Sequence, residues 1–386
     1  AASMIELGEV MASKAGSVEP ARFPEEVFDL YSIPAFDRGL PEVVAGREIG
    51  SSKQIVEPGD VLLSKIVPHI RRSWVVGAAQ GRRIIASGEW IVFRGSRAHP
   101  QYLRHVLVGD PFHIEFMRTV SGVGGSLLRA RPGYVATIRV PLPPLPEQRR
   151  IAEILDKADA LRAKRRAALA QLGTLTQSIF LDMFGDPIKN PHRFPVRPMI
   201  ELIDPQRPIS YGILMPGPHQ AEGIKYVRVV DMKDGGIELS GIRKTTEEIS
   251  NSFRRSLLKS ADLLMSIRGH VGRFAVVPEE LDGANITQDT ARLAIVDASS
   301  VFVRECLRTK GFQRWMAKHT KGVAVRGINL GDVKLMPIIL PPRPAQEKFA
   351  RQTNVVEKLK TAQRASLAEL DALFSTLQHR AFRGEL

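Results

Sequence analysis

The sequence contains a single cysteine, Cys306, among 386 residues. One cysteine cannot form an internal disulfide, and it supplies too few thiolates for a structural zinc site. Cys306 could serve as a nucleophile, but a small buried apolar residue is the expected role. The first residues also lack the charged start and apolar core of a signal peptide. The pattern favours a cytoplasmic protein.

Several sequence motifs of enzymes are missing as well. No run of about 20 apolar residues predicts a membrane span. There is no GxxxxGK[ST] phosphate loop, no GxGxxG after a strand and no HExxH metal motif. The segment NPHRF at 190–194 lacks the second proline of the NPP(Y/F) motif of amino-methyltransferases. Because no catalytic or metal-ligating constellation can be assembled, we expect no catalytic residues and no metal, and a protein that recognises rather than transforms its partner.

The sequence does have a large excess of positive charge. The formal net charge is +14, and the isoelectric point is about 10.1. An excess of this size predicts an anionic partner, with nucleic acid first and an anionic membrane surface second. No basic amphipathic anchor helix is evident, so nucleic acid is favoured over membrane.

The sequence also repeats itself. Residues 143–184 align without a gap with residues 341–382, and a proline–glutamine segment opens both copies. The matching positions there are Pro143, Pro144, Pro146 and Gln148 with Pro341, Pro342, Pro344 and Gln346. Farther upstream, GDVLLSKIVPHIRR (59–72) resembles ADLLMSIRGHVGR (261–273). The chain therefore consists of two copies of one unit, each a globular part followed by a helix.

Both helices show a heptad pattern, in which apolar residues recur at alternating steps of four and three. The predicted seam residues of the first helix are Ile154, Ala158, Leu161, Arg165, Leu172 and Leu175, and those of the second are Val356, Leu359, Gln363, Leu370, Leu373 and Leu377. The polar seam positions Arg165 and Gln363 coincide in the repeat, and such residues often specify register. We expect the helices to pair antiparallel and to hold two globular units at a set distance.

The globular parts mix short strand patterns with helical segments, which predicts an α+β fold. The predicted organisation is two similar domains of small mixed sheets with helices, separated by two long helices that form an antiparallel coiled coil. The predicted boundaries are 1–145 for the first domain, 146–185 for the first helix, 186–343 for the second domain and 344–386 for the second helix.

Basic residues gather in the predicted loops of both globular parts, beside glycine-rich stretches at 121–134 and 320–332. Glycine lets a backbone approach a phosphate, and arginine can bind guanine edges through two hydrogen bonds. Each such residue is individually as consistent with a solvated surface as with DNA, but the clusters together favour DNA. The candidate DNA-binding residues are Lys65, His69, Arg71, Arg72, Arg129, Arg131, Tyr211, Arg268, His270, Arg273, Gln288, Lys321 and Arg326. Asn285 is a further alternative for a base contact.

The order of globular part, PLPPLPEQRRIAEILDKADAL helix, second globular part and second helix resembles the specificity subunits of type I restriction–modification systems. Segments 31–66, 208–218 and 225–232 resemble pieces of their target-recognition domains. The resemblance implies that each domain reads one half of a split, asymmetric site in double-stranded DNA and that the helices set the unread spacer. It also implies two methyltransferase subunits and restriction–translocase subunits as partners. S-adenosylmethionine, ATP and Mg²⁺ would then be bound by those partners, with no cofactor in this chain.

Two other interpretations remain open at this point. One is a stand-alone nuclease or methyltransferase with a diverged active site, which would transfer a methyl group without any partner. The other is a coiled-coil scaffold whose basic loops bind RNA or an acidic protein, which competition between duplex DNA and RNA would reveal.

Overall fold

The computed structural model describes residues 3–12, 16–121, 128–322 and 326–386. The chain divides into two compact units. Unit 1 comprises Ala1–Arg165 with Ser366–Leu386, and unit 2 comprises Arg166–Ala365. Each long helix therefore begins in one unit and ends in the other. The predicted boundaries instead treat each helix as a segment of its own, and that division stays a prediction.

Unit 1 is built from short strands and helices that precede the first long helix. Its strands are β1 (Met4–Glu6), β2 (Ser17–Val18), β3 (Val27–Tyr31), β4 (Glu42–Ala45), β5 (Lys53–Ile55), β6 (Val61–Ser64), β7 (Ser73–Val75), β8 (Arg83–Ala86), β9 (Trp90–Phe93), β10 (Val120–Ser121), β11 (Arg129–Ala130) and β12 (Arg139–Pro141). Its short helices are α1 (Ile33–Arg38), α2 (Pro100–Val108), α3 (Asp110–Arg118) and α4 (Pro132–Val135). Gly109 separates α2 from α3.

Two sheets form the body of unit 1. One has the order β2-β5-β8-β3-β4, and the other has the order β7-β6-β9. The pair β3–β8 is parallel while the other pairs of these sheets are antiparallel, so the first sheet is mixed. Two further antiparallel pairs are β1–β12 and β10–β11. Mixed helices and small sheets confirm the predicted α+β class.

Two long helices follow the two globular parts: α5 (Leu145–Phe184) and α10 (Arg343–Arg383). Between them lie the strands β13 (Val196–Pro198), β14 (Ser210–Tyr211), β15 (Ile224–Val227), β16 (Met232–Lys233), β17 (Gly236–Ile237), β18 (Arg243–Thr245), β19 (Leu263–Ser266), β20 (Phe274–Val276), β21 (Asn285–Ile286), β22 (Thr290–Leu293) and β23 (Pro337–Ile339). The helices of this part are α6 (Glu247–Ser252), α7 (Ser300–Arg308), α8 (Lys310–His319) and α9 (Leu330–Lys334).

The sheets of unit 2 repeat the central connectivity of unit 1. The order β14-β22-β19-β20 contains the antiparallel trio β22-β19-β20, which corresponds to β9-β6-β7. The register is the same as well, since Ser64 faces Trp90 and Ser266 faces Thr290. The strand just before each long helix pairs with the first strand of its own repeat, in β1–β12 and in β13–β23. The sequence repeat is therefore a repeat of structure.

The repeated glutamine at the start of each long helix has the same role in both units. Gln148 is buried, donates to the Pro143 carbonyl at 2.7 Å and accepts from the His99 backbone N–H at 2.7 Å. Gln346 is buried, donates to the Pro341 carbonyl at 2.8 Å and accepts from the Ser299 N–H at 3.0 Å. Each glutamine thus ties the start of a long helix to the residue before α2 or α7. The Pro-x-Pro-x-Gln pattern is conserved between the repeats because buried backbone groups need these partners.

Within each unit the two long helices pack against one another in antiparallel fashion. In unit 1 the Arg162 guanidinium on α5 donates to Asp371 on α10 at 2.6 Å and lies 4.2 Å from the centre of the Phe374 ring. Nearer the start of α5, the Arg150 guanidinium donates a hydrogen bond to the carbonyl oxygen of Leu386. In unit 2, Phe180 on α5 packs edge-on against Phe349 on α10 at 5.5 Å. Each hydrophobic core therefore contains residues of both helices.

The buried stripe of the helices differs from the predicted seam at alternate positions. Of the predicted residues, Leu161, Leu175, Leu359 and Leu373 are exposed, while Ala158 and Val356 are buried, and Ile154, Arg165, Leu172, Gln363, Leu370 and Leu377 are partly buried. The inward positions one residue later are Arg162, Thr176, Lys360 and Phe374. The seam prediction is corrected at these four leucines.

The error has a physical cause. Counting apolar residues selects Leu161 and Leu359, but the long stems of Arg162 and Lys360 can bury while a carboxylate offsets the charge. Arg162 is bound by Asp159 and Asp371, and Lys360, only 4% exposed, is bound by Glu357 at 2.8 Å. The pairs Arg162–Asp159 and Lys360–Glu357 occupy equivalent positions in the repeat. Periodicity of hydrophobicity alone cannot detect a basic residue that packs inward.

A pair of identical substitutions in α5 tests the corrected stripe. Leu155 is fully buried in unit 1 and Leu161 is 54% exposed. We expect Leu155→Ala to lower the free energy of unfolding by about 2–5 kcal/mol, because it leaves a cavity. Leu161→Ala should change it by less than about 0.5 kcal/mol, as is usual at the surface. Thermal and urea unfolding of the isolated chain measures both; equal destabilisation by the two variants would contradict the corrected stripe.

Candidate nucleic-acid interface

In unit 1 the backbone brings the two predicted basic segments together. Ile66 and Arg129 form an isolated antiparallel bridge. The Ala130 N–H donates to the Lys65 carbonyl at 2.7 Å, and the Val67 N–H donates to the Leu128 carbonyl at 3.2 Å. The loop after β6 therefore lies beside β11. Residues 122–127 of the glycine-rich stretch lie outside the described residues.

Unit 2 has the same arrangement at the equivalent positions. Arg268 and Gly327 form an isolated antiparallel bridge. The Gly269 N–H donates to the Arg326 carbonyl at 2.9 Å, and the Ile328 N–H donates to the Ile267 carbonyl at 2.9 Å. The loop after β19 thus lies beside residues 326–328, while residues 323–325 lie outside the described part. In each unit, two segments that are distant in sequence form one basic surface, which we call the loop pair. It consists of residues 65–72 with 128–131 in unit 1, and of residues 267–273 with 321–322 and 326–328 in unit 2.

Three arginines of the unit 1 loop pair, Arg71, Arg72 and Arg129, are held by carboxylates. Arg72 donates two hydrogen bonds to Asp37, at 2.9 and 3.0 Å, and its side chain is largely covered. The hydrogen bond from Arg72 lowers the pKa of Asp37 below its usual value, against a smaller opposing effect of burial. Asp37 therefore stays charged at neutral pH and offsets the charge of Arg72. The other two pairs are Arg71 with Asp110 and Arg129 with Glu89.

The remaining candidates of unit 1 are free of acidic partners in the part of the chain that the structure describes. Lys65 is partly buried at the end of β6, and His69 is exposed in the following loop. Arg131 donates to the Ser121 hydroxyl at 3.0 Å, and its guanidinium lies 5.6 Å from the centre of the Tyr134 ring.

The candidates of the unit 2 loop pair are exposed, and none of them is paired with a carboxylate within the described ranges. Arg268 donates to the Gln288 side chain at 3.4 Å, and Arg273 donates to the Val229 carbonyl at 3.3 Å. The exposed side chains are those of Arg268, His270, Arg273, Lys321 and Arg326. This surface presents open hydrogen-bond donors to solvent.

Tyr211 lines a cavity whose lining includes none of the loop pair candidates. The ring is half exposed and lines a cavity of about 370 Å³ together with Arg254 and Arg255. Sequence reasoning singled out Tyr211 but missed these two arginines. The doubled arginine of NSFRRS is the sequence feature that indicates these two cations, but it does not follow a predicted strand. An aromatic ring beside two cations suits the binding of a nucleic acid, and the loop pairs suit it too.

Asn285 proves to be a structural residue. Its side chain is fully buried, accepts from the Ser256 hydroxyl at 2.6 Å and donates to the Ser250 hydroxyl at 3.1 Å. A side chain enclosed in this way cannot reach a base, so the alternative of a base contact by Asn285 is corrected. Polar residues near loops look alike in sequence, and only the packing of α6 against β21 separates Asn285 from Gln288.

Cys306 is enclosed by apolar residues in unit 2. Cys306 is fully buried in the core of unit 2, and burial raises the pKa of its thiol. Within residues 3–12, 16–121, 128–322 and 326–386, no three His, Cys, Asp or Glu side chains gather in a way that could hold a metal ion. Over the same ranges, no helix combines the length and the hydropathy that crossing a membrane would take.

The chain is similar to the specificity subunit of the type I restriction enzyme EcoBI of Escherichia coli. The identity is 30% over 278 residues, which are 64% of this chain and 58% of that protein. The predicted resemblance to type I specificity subunits is confirmed. The chain thus matches somewhat more than half of the length of this curated relative. No protein-family model matches the chain.

Solved structures share the fold over nearly the whole chain. A chain from a structural study of complex assembly and conformational transition of a type I restriction–modification system has a TM-score of 0.59 and 21% identity, covering 100% of this chain and 98% of that one. The S subunit of a type I restriction–modification system from M. genitalium has a TM-score of 0.57 and 12% identity, covering 98% of this chain and 96% of that one. At these identities the likeness establishes the fold.

Asn285 and Gln288 provide a test that separates structure from recognition. We expect Asn285→Ala to lower the free energy of unfolding by roughly 2–4 kcal/mol, because it leaves buried hydroxyl and carbonyl groups without partners. Gln288→Ala, in the partly exposed segment beside Arg268, should leave unfolding unchanged within about 0.5 kcal/mol. It should weaken binding to a duplex by about 1–3 kcal/mol if Gln288 contacts a base edge. Unfolding curves and fluorescence anisotropy measure the two effects; a DNA-binding defect in a fully folded Asn285→Ala would contradict the structural role.

Proposed function

We propose that this chain is the non-catalytic DNA-specificity subunit of a type I restriction–modification enzyme. Each globular part would act as a target-recognition domain and read one half of a bipartite, asymmetric DNA site. The observation that supports this most directly is the loop pair, since the same pairing of two backbone segments with basic residues is built at equivalent positions in both units. Two readers with different side chains on one repeated scaffold suit a site whose halves differ.

The long helices would set the unread spacer between the half-sites. At 1.5 Å per residue, helices of 40 and 41 residues are each about 60 Å long. Half-sites read from one face of DNA lie a whole number of turns apart, at about 34–36 Å per turn, and helices of this length exceed one turn. The antiparallel contacts of α5 with α10 in each unit support a coiled coil along these helices, in keeping with the predicted arrangement.

The exposed leucines favour two copies of one helical partner. Leu161 and Leu359 occupy equivalent positions of the repeat, as do Leu175 and Leu373, and all four are 40–54% exposed. Exposed apolar residues that recur with the repeat are typical of interaction sites rather than of scattered surface variation. We propose that they dock two methyltransferase subunits, which restriction–translocase subunits then join. S-adenosylmethionine, ATP and Mg²⁺ would be bound by those subunits.

A matched deletion tests the spacer role. Removing residues 164–170 and 362–368 takes one heptad from each helix at equivalent positions and keeps the seam in phase. The helices shorten by about 10 Å, which corresponds to at most about three base pairs of straight B-DNA. We expect unchanged half-sites with a spacer shorter by about 1–3 base pairs, measured by mapping methylated sites in a host that expresses the whole complex.

The same mapping on the unaltered complex reports the two half-sites directly. A single continuous methylation site would contradict the proposed function. For the deletion, altered half-sites with an unchanged spacer would contradict the role of the helices. Removing residues 164–167 from α5 alone is the control, because it breaks the heptad phase and should destabilise the chain.

Charged substitutions at the leucines test the docking of two partners. Leu161→Asp should weaken one methyltransferase site, and Leu161→Asp with Leu359→Asp should weaken both, because a carboxylate in an apolar contact loses its hydration. Native mass spectrometry of the complex should then show one methyltransferase subunit with the single variant and none with the double variant, in place of two. Glu153→Asp, which keeps an exposed charge on α5, is the control. Two copies retained by the double variant would place the docking site elsewhere.

A further inference from the structure

The two loop pairs differ in charge although their backbones correspond. In unit 1, carboxylates hold Arg71, Arg72 and Arg129. In unit 2 none of the loop pair cations meets a carboxylate within 4 Å in the described ranges. Lys65 and Arg131 keep some open charge in unit 1. The surface that faces a ligand is therefore largely neutralised in one unit and openly cationic in the other.

The difference has its origin in single positions of the repeat. Glu89 precedes β9 and Asp289 precedes β22, so both units have an acid at this place. In unit 1 this acid, Glu89, forms an ion pair with Arg129, and Arg129 also forms the β-bridge with Ile66. In unit 2 the residue that forms the equivalent β-bridge is Gly327. Unit 2 therefore keeps the acid, as Asp289, but has glycine in place of the arginine.

The first residue of α3 in unit 1 and the first residue of α8 in unit 2 carry charges of opposite sign. α3 begins at Asp110, which holds Arg71, and α8 begins at Lys310. Lys310 is exposed and adds a cation where unit 1 has an acid. This position shifts the surface of unit 2 toward positive charge, whereas glycine at 327 in place of the bridging arginine removes a charge pair without adding a cation.

Charge pairing changes what an arginine contributes to DNA binding. An open cation that meets a phosphate releases a condensed counterion, so each such contact makes the affinity fall with salt. An arginine already bound to a carboxylate brings no net charge and releases little. It keeps a fixed direction, however, and the planar guanidinium still has free N–H groups for a base edge.

We propose that the two units bind DNA by different physical means: unit 2 supplies the salt-dependent hold on phosphates, and unit 1 contacts its half-site with arginines that carboxylates neutralise and orient. This inference rests on the proposed function, because it assumes that both loop pairs face duplex DNA. It goes further in assigning unequal electrostatic work to the two half-sites.

The test measures affinity against salt for the full chain. Fluorescence anisotropy with a random-sequence duplex of about 40 base pairs, from 50 to 200 mM KCl, gives the slope of log affinity against log salt. Each phosphate contact accounts for about 0.9 of that slope, or roughly a 3.5-fold change over this range. Arg268→Gln with Arg326→Gln in unit 2 should reduce the magnitude of the slope by about 2.

Matched variants of unit 1 provide the contrast. Arg129→Gln with Glu89→Gln removes a pair without changing net charge, and we expect the slope to stay within about 0.3 of the wild-type value. Glu89→Gln alone frees the Arg129 guanidinium, so binding should tighten and the slope should grow by about 1. Arg129 is exposed and Glu89 is partly exposed. Thermal unfolding should therefore be little changed, and it confirms that each variant is folded.

The outcomes separate this inference from the proposed function. If the wild-type chain binds the duplex but the double variant of unit 1 lowers the slope as much as that of unit 2, the asymmetry is wrong while the proposed function stands. If Glu89→Gln leaves both affinity and slope unchanged, the carboxylate does not offset Arg129 and the asymmetry is again wrong. If the wild-type chain fails to bind duplex DNA, or prefers RNA, both are overturned.

Discussion

The packing of α5 against α10 within each unit is the interaction on which the rest of the structure depends. The core of unit 1 contains Leu155 from α5 together with Phe374 and Ala381 from α10. The core of unit 2 contains Phe180 and Phe349 from the same two helices. Neither globular part closes its core with its own strands alone. Contacts of such large sequence separation make ordering of unit 1 depend on the last 21 residues of the chain, Ser366–Leu386, and are expected to slow folding.

The two units keep the same contacts while changing the chemistry that makes them. Tyr102 on α2 packs edge-on against Phe382 on α10, and Phe302 on α7 packs edge-on against Phe184 on α5. Such equivalent contacts hold the repeated backbone in place. The side chains on the solvent side are then free to diverge, as the proposed reading of two different half-sites requires.

The buried polar groups show the same divergence. His105 on α2 lies 2.7 Å from Asp156 on α5, and burial, together with the charge of Arg104, lowers the pKa of His105. At the equivalent place on α7, Glu305 accepts from Gln177 on α5 at 2.6 Å. Burial opposes ionisation of Glu305, but Arg304 and Arg308 hold its pKa below the usual value. Pairs of this kind add little net stability and favour one alignment of helix and domain over others.

The sequence by itself determined the repeat, the proline-marked starts of the long helices and the positions of the basic segments. These features depend on local residues: prolines end one element and begin another, and Gln148 and Gln346 recur at one spacing. Only the tertiary structure decided that Ile66 pairs with Arg129, that Asn285 is buried while Gln288 is partly exposed, and that Arg162 rather than Leu161 turns inward. The physical reason is that burial and charge pairing depend on which carboxylate or apolar surface arrives from a distant part of the chain, and residue order along one segment carries no record of that neighbour.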